Sequence, residues 1–283
     1  MIPEKFEYRR ASSLDEAIQL IQASNGDGKF LAGGHSLIPL MKLRLSEPGM
    51  LIDISRIEQL KGIREKDGKI EVGAATTHSE VAGSDLIRRL CPVVSEAAKE
   101  IGDPQVRNRG TMGGSLAHSD PAADYPAVMV ALDAEIHLKG PGGWRAVKAS
   151  DFFQGMFTVD MAEDEIIAGV QFAPAKNAAY AKLHQRASHY AIVGVAAVLE
   201  VDGNVCRSAR IGLTGASTHA QRLSNVEAAL AGKELSQANI DAAAAIAADG
   251  LEDVNADIHA SEAYRRAMVK VFTRRAIERA AGR

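Results

Sequence analysis

The sequence predicts an α+β protein in two parts. Strand and helix patterns alternate over residues 1–55, two glycine pairs fall between such patterns, and a strand-rich stretch followed by helices begins after residue 177. Alternating elements in one part and segregated elements in the other are typical of mixed architectures. A chain of 283 residues is long enough for two ordinary domains.

The first 55 residues predict a small β-α-β unit. Ser13 to Glu16 has the spacing of a helix capping box, and apolar residues follow it at helical intervals. Strands over residues 30–32 and 50–54 are expected to enclose a second helix, which Ser36 caps and which continues to residue 45.

Residues 56–176 predict the rest of the first domain. A second capping box runs from Thr77 to Glu80. We expect Asp120 and Pro121 to start a helix that continues to residue 132. The other expected elements are strands over 69–75 and 165–172, a hairpin over 135–147, a helix over 92–101 and a linker over 173–177.

Residues 177–283 predict a second domain that begins with strands and ends with helices. Strands over 180–186, 194–201 and 207–213 suggest a three-stranded antiparallel sheet. Helices over 220–231 and 237–249, and a last helix capped by Ser261, suggest a helical bundle. The predicted domains are therefore 1–176, with subdomains of about 1–55 and 56–176, and 177–283.

The two glycine pairs are the strongest functional signal. They occur in Gly33-Gly34-His35-Ser36 and in Gly113-Gly114-Ser115. Glycine permits positive φ and close approach of a ligand, and successive backbone N–H groups in such turns form an anion-binding concavity. A single Gly-Gly turn usually has no role beyond changing the direction of the chain. Two such turns in matched contexts indicate a ligand that has a diphosphate and a second end, which the protein also binds.

Charge and hydropathy exclude several partners. The net charge of −3 gives no basic field for nucleic acid or an anionic membrane. The longest apolar run, residues 191–199, is too short to span a membrane, and the N-terminus lacks a signal-peptide pattern. We therefore expect a cytoplasmic protein without a transmembrane segment, which a larger complex could bring to the inner face of the membrane.

The cysteines limit the redox chemistry of the chain. Only Cys91 and Cys206 are present, whereas iron–sulfur clusters usually take four cysteine ligands. Any such cluster must therefore belong to a partner. No second histidine, aspartate or glutamate stands at metal-ligand spacing from His35, so His35 is expected to act through its backbone. His78 and His118 are expected to be hydrogen-bonded polar residues.

The two glycine motifs, extended to residues 29–44 and 109–124, resemble the FAD-binding loops of the medium subunit of the molybdenum hydroxylase (xanthine dehydrogenase) family, in particular the carbon monoxide dehydrogenase type. The resemblance implies an FAD-binding fold of the vanillyl-alcohol oxidase (PCMH) type with two subdomains, followed by a smaller C-terminal domain. It implies non-covalent FAD and no catalytic or metal-binding residue of the chain itself. It also implies a small subunit with 2Fe–2S clusters and a large molybdenum-cofactor subunit, in a dimer of heterotrimers.

The resemblance also assigns FAD-binding residues. The first loop is Ala32, Gly33, Gly34, His35 and Ser36, and the second is Thr111, Met112, Gly113, Gly114 and Ser115. Asp124 matches an acidic residue that binds the flavin side chain, Tyr190 matches a tyrosine near the isoalloxazine, and Ile167 and Lys182 fall near other contact positions. Asp124 has an alternative role as a first-turn helix acid. His184 stands where relatives that reduce NAD carry a lysine.

The implied function is electron transfer from the partner's clusters through FAD to an external acceptor. One alternative is the same subunit in a hydroxylase of aromatic or N-heterocyclic compounds. Another is a non-redox assembly subunit with an empty flavin site. A free-standing flavin reductase would need an acid/base group of its own, and the sequence points to none.

Overall fold

A computed structural model describes residues 2–283. Its strands are β1 (Glu7–Arg10), β2 (Gly28–Leu31), β3 (Met50–Asp53), β4 (Ile63–Lys66), β5 (Lys69–Gly73), β6 (Glu135–Gly140), β7 (Gly143–Lys148), β8 (Phe153–Gly155), β9 (Thr158–Val159), β10 (Ile166–Phe172), β11 (Ala178–His184), β12 (Ala191–Asp202), β13 (Val205–Thr214) and β14 (Gln221–Arg222). Its α-helices are α1 (Leu14–Ala23), α2 (Leu37–Lys42), α3 (His78–Gly83), α4 (Asp85–Leu90), α5 (Pro92–Glu100), α6 (Pro104–Arg107), α7 (Met112–His118), α8 (Asp124–Ala131), α9 (Ala149–Phe152), α10 (Ser224–Leu230), α11 (Gln237–Ala245) and α12 (Glu262–Ala280). A short 3₁₀ helix covers Glu58–Leu60.

The N-terminal unit is a parallel sheet of order β1-β3-β2, in agreement with the predicted β-α-β pattern. The Ser13 hydroxyl accepts from the N–H of Glu16 and so caps α1. The predicted capping box is only half formed, because the Glu16 carboxylate bonds Ser12 instead of reaching back to Ser13. The apolar side of α1 packs into the first core.

The second unit is an antiparallel sheet of order β4-β5-β10-β6-β7. The hairpin β6–β7 and the strand β10 lie where the sequence predicted them. The capping box from Thr77 to Glu80 is complete at the start of α3. These elements share one core with α1 and the helices α4, α5 and α8.

The prediction that Asp120 and Pro121 start a helix is wrong. The Asp120 carboxylate accepts the N–H of Ala122 at 2.8 Å, and Ser119 lies in the left-handed region with φ of 49°. An aspartate side chain that bonds the backbone two residues ahead stabilises a turn in place of a helix. The helix α8 therefore begins only at Asp124.

The C-terminal sheet has four strands in the order β11-β12-β13-β14, one more than predicted. The additional strand, β14, has two residues, which pair with Gly212 and Leu213. Two residues carry no periodicity, so this strand could not be predicted from the sequence pattern. The helix that the sequence predicts from residue 220 therefore starts only after β14, and α10 begins at Ser224. The cap of the last helix by Ser261 is as predicted.

The C-terminal sheet is buried on both faces. Along β12, Ala196 and Val198 join the core of the first domain, whereas Val195 and Ala197 join a second core with α10, α11 and α12. This follows from the period of two along a strand. All eight residues of α8 are buried, because this helix packs against β12 and β13 on one side and the first domain on the other.

The ends of the C-terminal strands also hold the segment before α8. The Thr214 hydroxyl lies 2.9 Å from the carbonyl oxygen of Pro121 and 2.8 Å from that of Ala123. The N–H of Gly215 donates to Pro121 at 2.8 Å. The start of α8 is therefore placed by the other domain. Within residues 2–283, no helix combines the length and apolar character needed to cross a membrane.

Candidate cofactor site

A cavity of about 670 Å³ lies where the two N-terminal units and the C-terminal domain meet. Its volume is within the range of cofactor pockets, roughly 300–1,000 Å³. Every predicted site residue except Met112 and Lys182 lines it: Ala32, Gly33, Gly34, His35, Ser36, Thr111, Gly113, Gly114, Ser115, Asp124, Ile167 and Tyr190. The structure therefore brings together predicted site residues that are far apart in the chain.

The first glycine loop presents unbonded amides to the cavity. Among the described residues, the backbone N–H groups from Gly33 to Ser36 have no protein acceptor. Gly34 has φ of +74°, and the His35 ring nitrogen Nδ1 lies 3.1 Å from the carbonyl oxygen of Gly33. Ser36 precedes α2, but its side chain makes no capping hydrogen bond, contrary to prediction. Four successive open amides are a site for an anion.

Gly33 is required for a reason that the sequence did not suggest. Its φ is not positive, but a Cβ at this position would overlap the carbonyl oxygen of Arg109 and lie 2.9 Å from the Cα of Gly110. The first loop therefore rests directly on the chain that leads into the second motif. Any side chain at Gly33 would push the two apart.

The second glycine motif differs from the prediction of a second anion-binding turn. Gly113 and Gly114 lie in the first turn of α7 rather than before it. The four amides from Met112 to Ser115 are already bonded, to Thr76 O, Ala74 O, Thr111 Oγ1 and Thr111 O. A Cβ on Gly113 would lie 2.5 Å from the Cβ of Ala74. The motif thus allows α7 to pack closely on the end of β5, and Met112 is buried beneath it.

Asp124 lies at a position that is compatible with both of its predicted roles. It is the first residue of α8 and lines the cavity, although it is 4% exposed. The Tyr180 hydroxyl donates to its carboxylate at 2.6 Å, and the Lys182 ammonium does so at 2.8 Å. Burial raises the pKa of the Asp124 carboxyl, and the Lys182 ammonium and the Tyr180 hydroxyl oppose this rise.

Lys182 does not line the cavity. Its side chain is 1% exposed, and its Nζ is bonded to the Asp124 carboxylate and, at 2.9 Å, to the carbonyl oxygen of Glu100. It therefore lies behind Asp124 as seen from the cavity. A direct contact between Lys182 and the cofactor stays a prediction.

Tyr190 lies in the loop between β11 and β12 of the C-terminal domain and lines the cavity from there. The N–H of Gln185 donates to the Tyr190 carbonyl oxygen at 2.8 Å, and the Gln185 side chain accepts from the Ser188 hydroxyl at 2.9 Å. The tyrosine is 46% exposed. Burial of its hydroxyl and the nearby Asp120 and Asp124 raise the pKa of Tyr190.

The prediction missed His78 as a wall residue. It is 5% exposed, lines the cavity, and its Nδ1 has no hydrogen-bond partner. The expectation of a satisfied polar residue is therefore wrong. Burial lowers the pKa of His78 to about 4, and His35 and Arg107 act in the same direction. The only signal in the sequence was its place after the Thr77 cap, which fixes it on the first turn of α3.

Much of the remaining lining is apolar and could not be identified from motifs. It comes from β2, the segment after α5, and the start of β10: Phe30, Leu31, Ile101, Val106 and Ile166. A site with open amides at one loop, apolar walls, and a carboxylate and a tyrosine on other walls fits a dinucleotide. The fold and cavity thus define a dinucleotide-binding α+β protein.

Comparisons with known proteins specify the class further. The family described as "FAD binding domain in molybdopterin dehydrogenase" matches residues 4–175, and "CO dehydrogenase flavoprotein C-terminal domain" matches residues 178–280. The chain is 40% identical to the carbon monoxide dehydrogenase medium chain of Hydrogenophaga pseudoflava, over 99% of this chain and 98% of that one. It is 37% identical to the 6-hydroxypseudooxynicotine dehydrogenase complex subunit alpha of Paenarthrobacter nicotinovorans, over 99% and 96% of the two chains.

A solved structure agrees with these relatives. Carbon monoxide dehydrogenase from Hydrogenophaga pseudoflava, in a form lacking the Mo-pyranopterin moiety, matches with a TM-score of 0.96 and 39% identity, covering 100% of this chain and 99% of that one. The chain therefore belongs to the family of FAD-binding subunits of molybdopterin dehydrogenases. Its cofactor is FAD, it is an oxidoreductase subunit, and the predicted α+β class and family resemblance are confirmed.

Proposed function

We propose that this chain is the electron-relaying FAD subunit of a carbon monoxide dehydrogenase of the molybdenum hydroxylase type. The observation that carries the proposal is the row of open amides from Gly33 to Ser36 on the cavity wall. The 40% identical relative named for that enzyme supports the choice of complex.

The residues of this chain would bind and orient the cofactor. The amides of Gly33 to Ser36 would hold the diphosphate of FAD, and the apolar walls would exclude water from it. Asp124 and Tyr190 would lie at the flavin end, with Ile167 beside them. Bound FAD supplies the one- and two-electron redox chemistry, and the chain supplies its binding and electrostatic surroundings.

The partners follow from what this chain lacks. Its two cysteines are both buried and lie in different cores, so the 2Fe–2S clusters would reside in a small partner subunit and the molybdenum cofactor in a large one. We propose a dimer of such heterotrimers, in the cytoplasm, with any contact with the membrane made through the complex. Mass determination of the purified complex and cell fractionation test these two points.

A second candidate is the same subunit in a hydroxylase of N-heterocyclic compounds. The 37% identical relative named as a 6-hydroxypseudooxynicotine dehydrogenase subunit favours it. Both candidates place the substrate on the large subunit. Turnover of the assembled complex with carbon monoxide and with N-heterocycles decides between them.

Flavin binding to the flavin-free full chain tests the cofactor site. We expect FAD to bind far more tightly than riboflavin, which has no diphosphate for the open amides. Gly33→Ala should weaken FAD binding and leave riboflavin binding unchanged. The matched control is Gly83→Ala, because a Cβ there meets no atom within 4 Å. Equal affinity for FAD and riboflavin, measured by fluorescence quenching, would contradict the assignment of the first loop. A chain that binds no flavin would favour the non-redox assembly subunit.

A further inference from the structure

Tyr180 makes a buried contact across the domain boundary. It belongs to β11 of the C-terminal domain and is 2% exposed, yet its hydroxyl donates at 2.6 Å to the carboxylate of Asp124 in the first domain. Asp124 lines the cofactor cavity, whereas Tyr180 does not. Neither the sequence motifs nor the resemblance assigns a role to this tyrosine.

We propose that Tyr180 is a positioning residue that fixes the Asp124 carboxylate toward the flavin, an inference that rests on the proposed FAD site. A carboxylate with one partner can rotate about its side-chain torsions. With the Tyr180 hydroxyl and the Lys182 ammonium both donating to it, one orientation is selected. Both carboxylate oxygens of Asp124 are thus engaged from β11, while the residue still lines the cavity.

The strand geometry makes this arrangement possible. Tyr180 and Lys182 are two residues apart on β11 and therefore project from the same face of the sheet. Gly194 pairs with Lys182 across β12. A Cβ on Gly194 would overlap the Tyr180 hydroxyl oxygen, so the absence of a side chain there creates the space for the phenol.

Tyr180 itself is held firmly. Its N–H donates to the Glu96 carboxylate at 3.3 Å, and its carbonyl oxygen accepts from the Arg279 guanidinium at 2.6 Å. Its ring thus approaches Asp124 from a backbone that is fixed on both sides. A tyrosine tied at its backbone and its hydroxyl is suited to hold another side chain in place.

The charges around Asp124 predict what loss of the hydroxyl would do. Burial raises the pKa of Tyr180 well above its ordinary value, so the phenol stays a donor. The groups that interact with Asp124 are the Lys182 ammonium and the Tyr180 hydroxyl on β11, the Glu100 carboxylate at the end of α5, and the Tyr125 and Tyr190 hydroxyls. Without the hydroxyl, one stabilising donor is lost and the pKa of Asp124 should rise further.

The test compares Tyr180→Phe with Tyr125→Phe in the full chain. Tyr125 follows Asp124, is fully buried, and its hydroxyl has no partner, so this variant removes an unbonded hydroxyl. We expect Tyr180→Phe to raise the Kd for FAD about three- to tenfold, the usual worth of one hydrogen bond. It should also move the inflection in the pH profile of the flavin midpoint potential to higher pH. Tyr125→Phe should match the wild type in both.

A double-variant cycle separates positioning from packing. If Tyr180 acts through the carboxylate, Tyr180→Phe should have no further effect on FAD affinity in an Asp124→Asn background. An unchanged Kd and pH profile in Tyr180→Phe, or the same loss in both backgrounds, would overturn the inference and leave Tyr180 as a packing residue. A wild-type chain that binds no FAD would overturn the proposed function itself.

Discussion

Replacing His78 should flatten the pH dependence of stability in mild acid. Burial lowers the pKa of His78 to about 4 from an ordinary value of 6.5. Between these values the unfolded chain binds a proton that the folded chain excludes, so the free energy of unfolding falls as the pH falls through this window. The resulting loss in the free energy of unfolding is roughly 3 kcal/mol near pH 4, and about 2 kcal/mol of it has already occurred at pH 5.

The assay is denaturant unfolding of the flavin-free chain at pH 7.5 and pH 5. His78→Gln should lose about 2 kcal/mol less than the wild type between these two conditions, whatever its absolute stability. His259→Gln, at an exposed position, is the control for removal of a histidine and should follow the wild type. If His78→Gln loses as much stability as the wild type, His78 titrates as an exposed group, and the buried wall of the cavity is wrongly described.

Three further predictions concern the flavin. FAD should be released completely by acid precipitation, and colour retained on the precipitate would contradict non-covalent binding. Tyr190→Phe should change FAD affinity by no more than about 1.5 kcal/mol but alter the rate of flavin reoxidation by oxygen or a quinone; stopped-flow traces identical to wild type with both acceptors would place Tyr190 away from the flavin. The purified chain alone should oxidise neither carbon monoxide nor an N-heterocycle, but it should still accept electrons from artificial reductants. Substrate turnover in the absence of partner subunits would refute the proposal that this chain only relays electrons.

The predictable part of this molecule was set by local chemistry. Capping at Thr77 and Ser261 and the hairpin β6–β7 each depend on residues that are close in sequence, and each formed as expected. The first glycine loop was also predicted from its own residues, and it lines the cavity. What sequence reasoning could not supply was contact between distant segments: Gly33 against Arg109, and α7 against β5.

The same limit explains what the local patterns did not show about the cavity. The second glycine motif looked like the first, but its amides are used by Ala74 and Thr76, which a local pattern does not reveal. Lys182 lies behind Asp124 as seen from the cavity, and its distance from the cavity depends on how two domains pack, so its contact with the cofactor stays a prediction. The amino-acid type of a loop residue predicted its role. It did not predict which distant residue the loop would contact.

The bonds from Thr214 and Gly215 to the segment before α8 bear on how the protein matures. The residues that place Asp124 are synthesised long after it, and so is Tyr190 on the facing wall. Domains emerging from the ribosome tend to fold in order, N-terminal first, but this cavity cannot close until the chain has been made to about residue 215. Cofactor loading is therefore a late event, and a nascent chain stalled before β13 should carry no flavin.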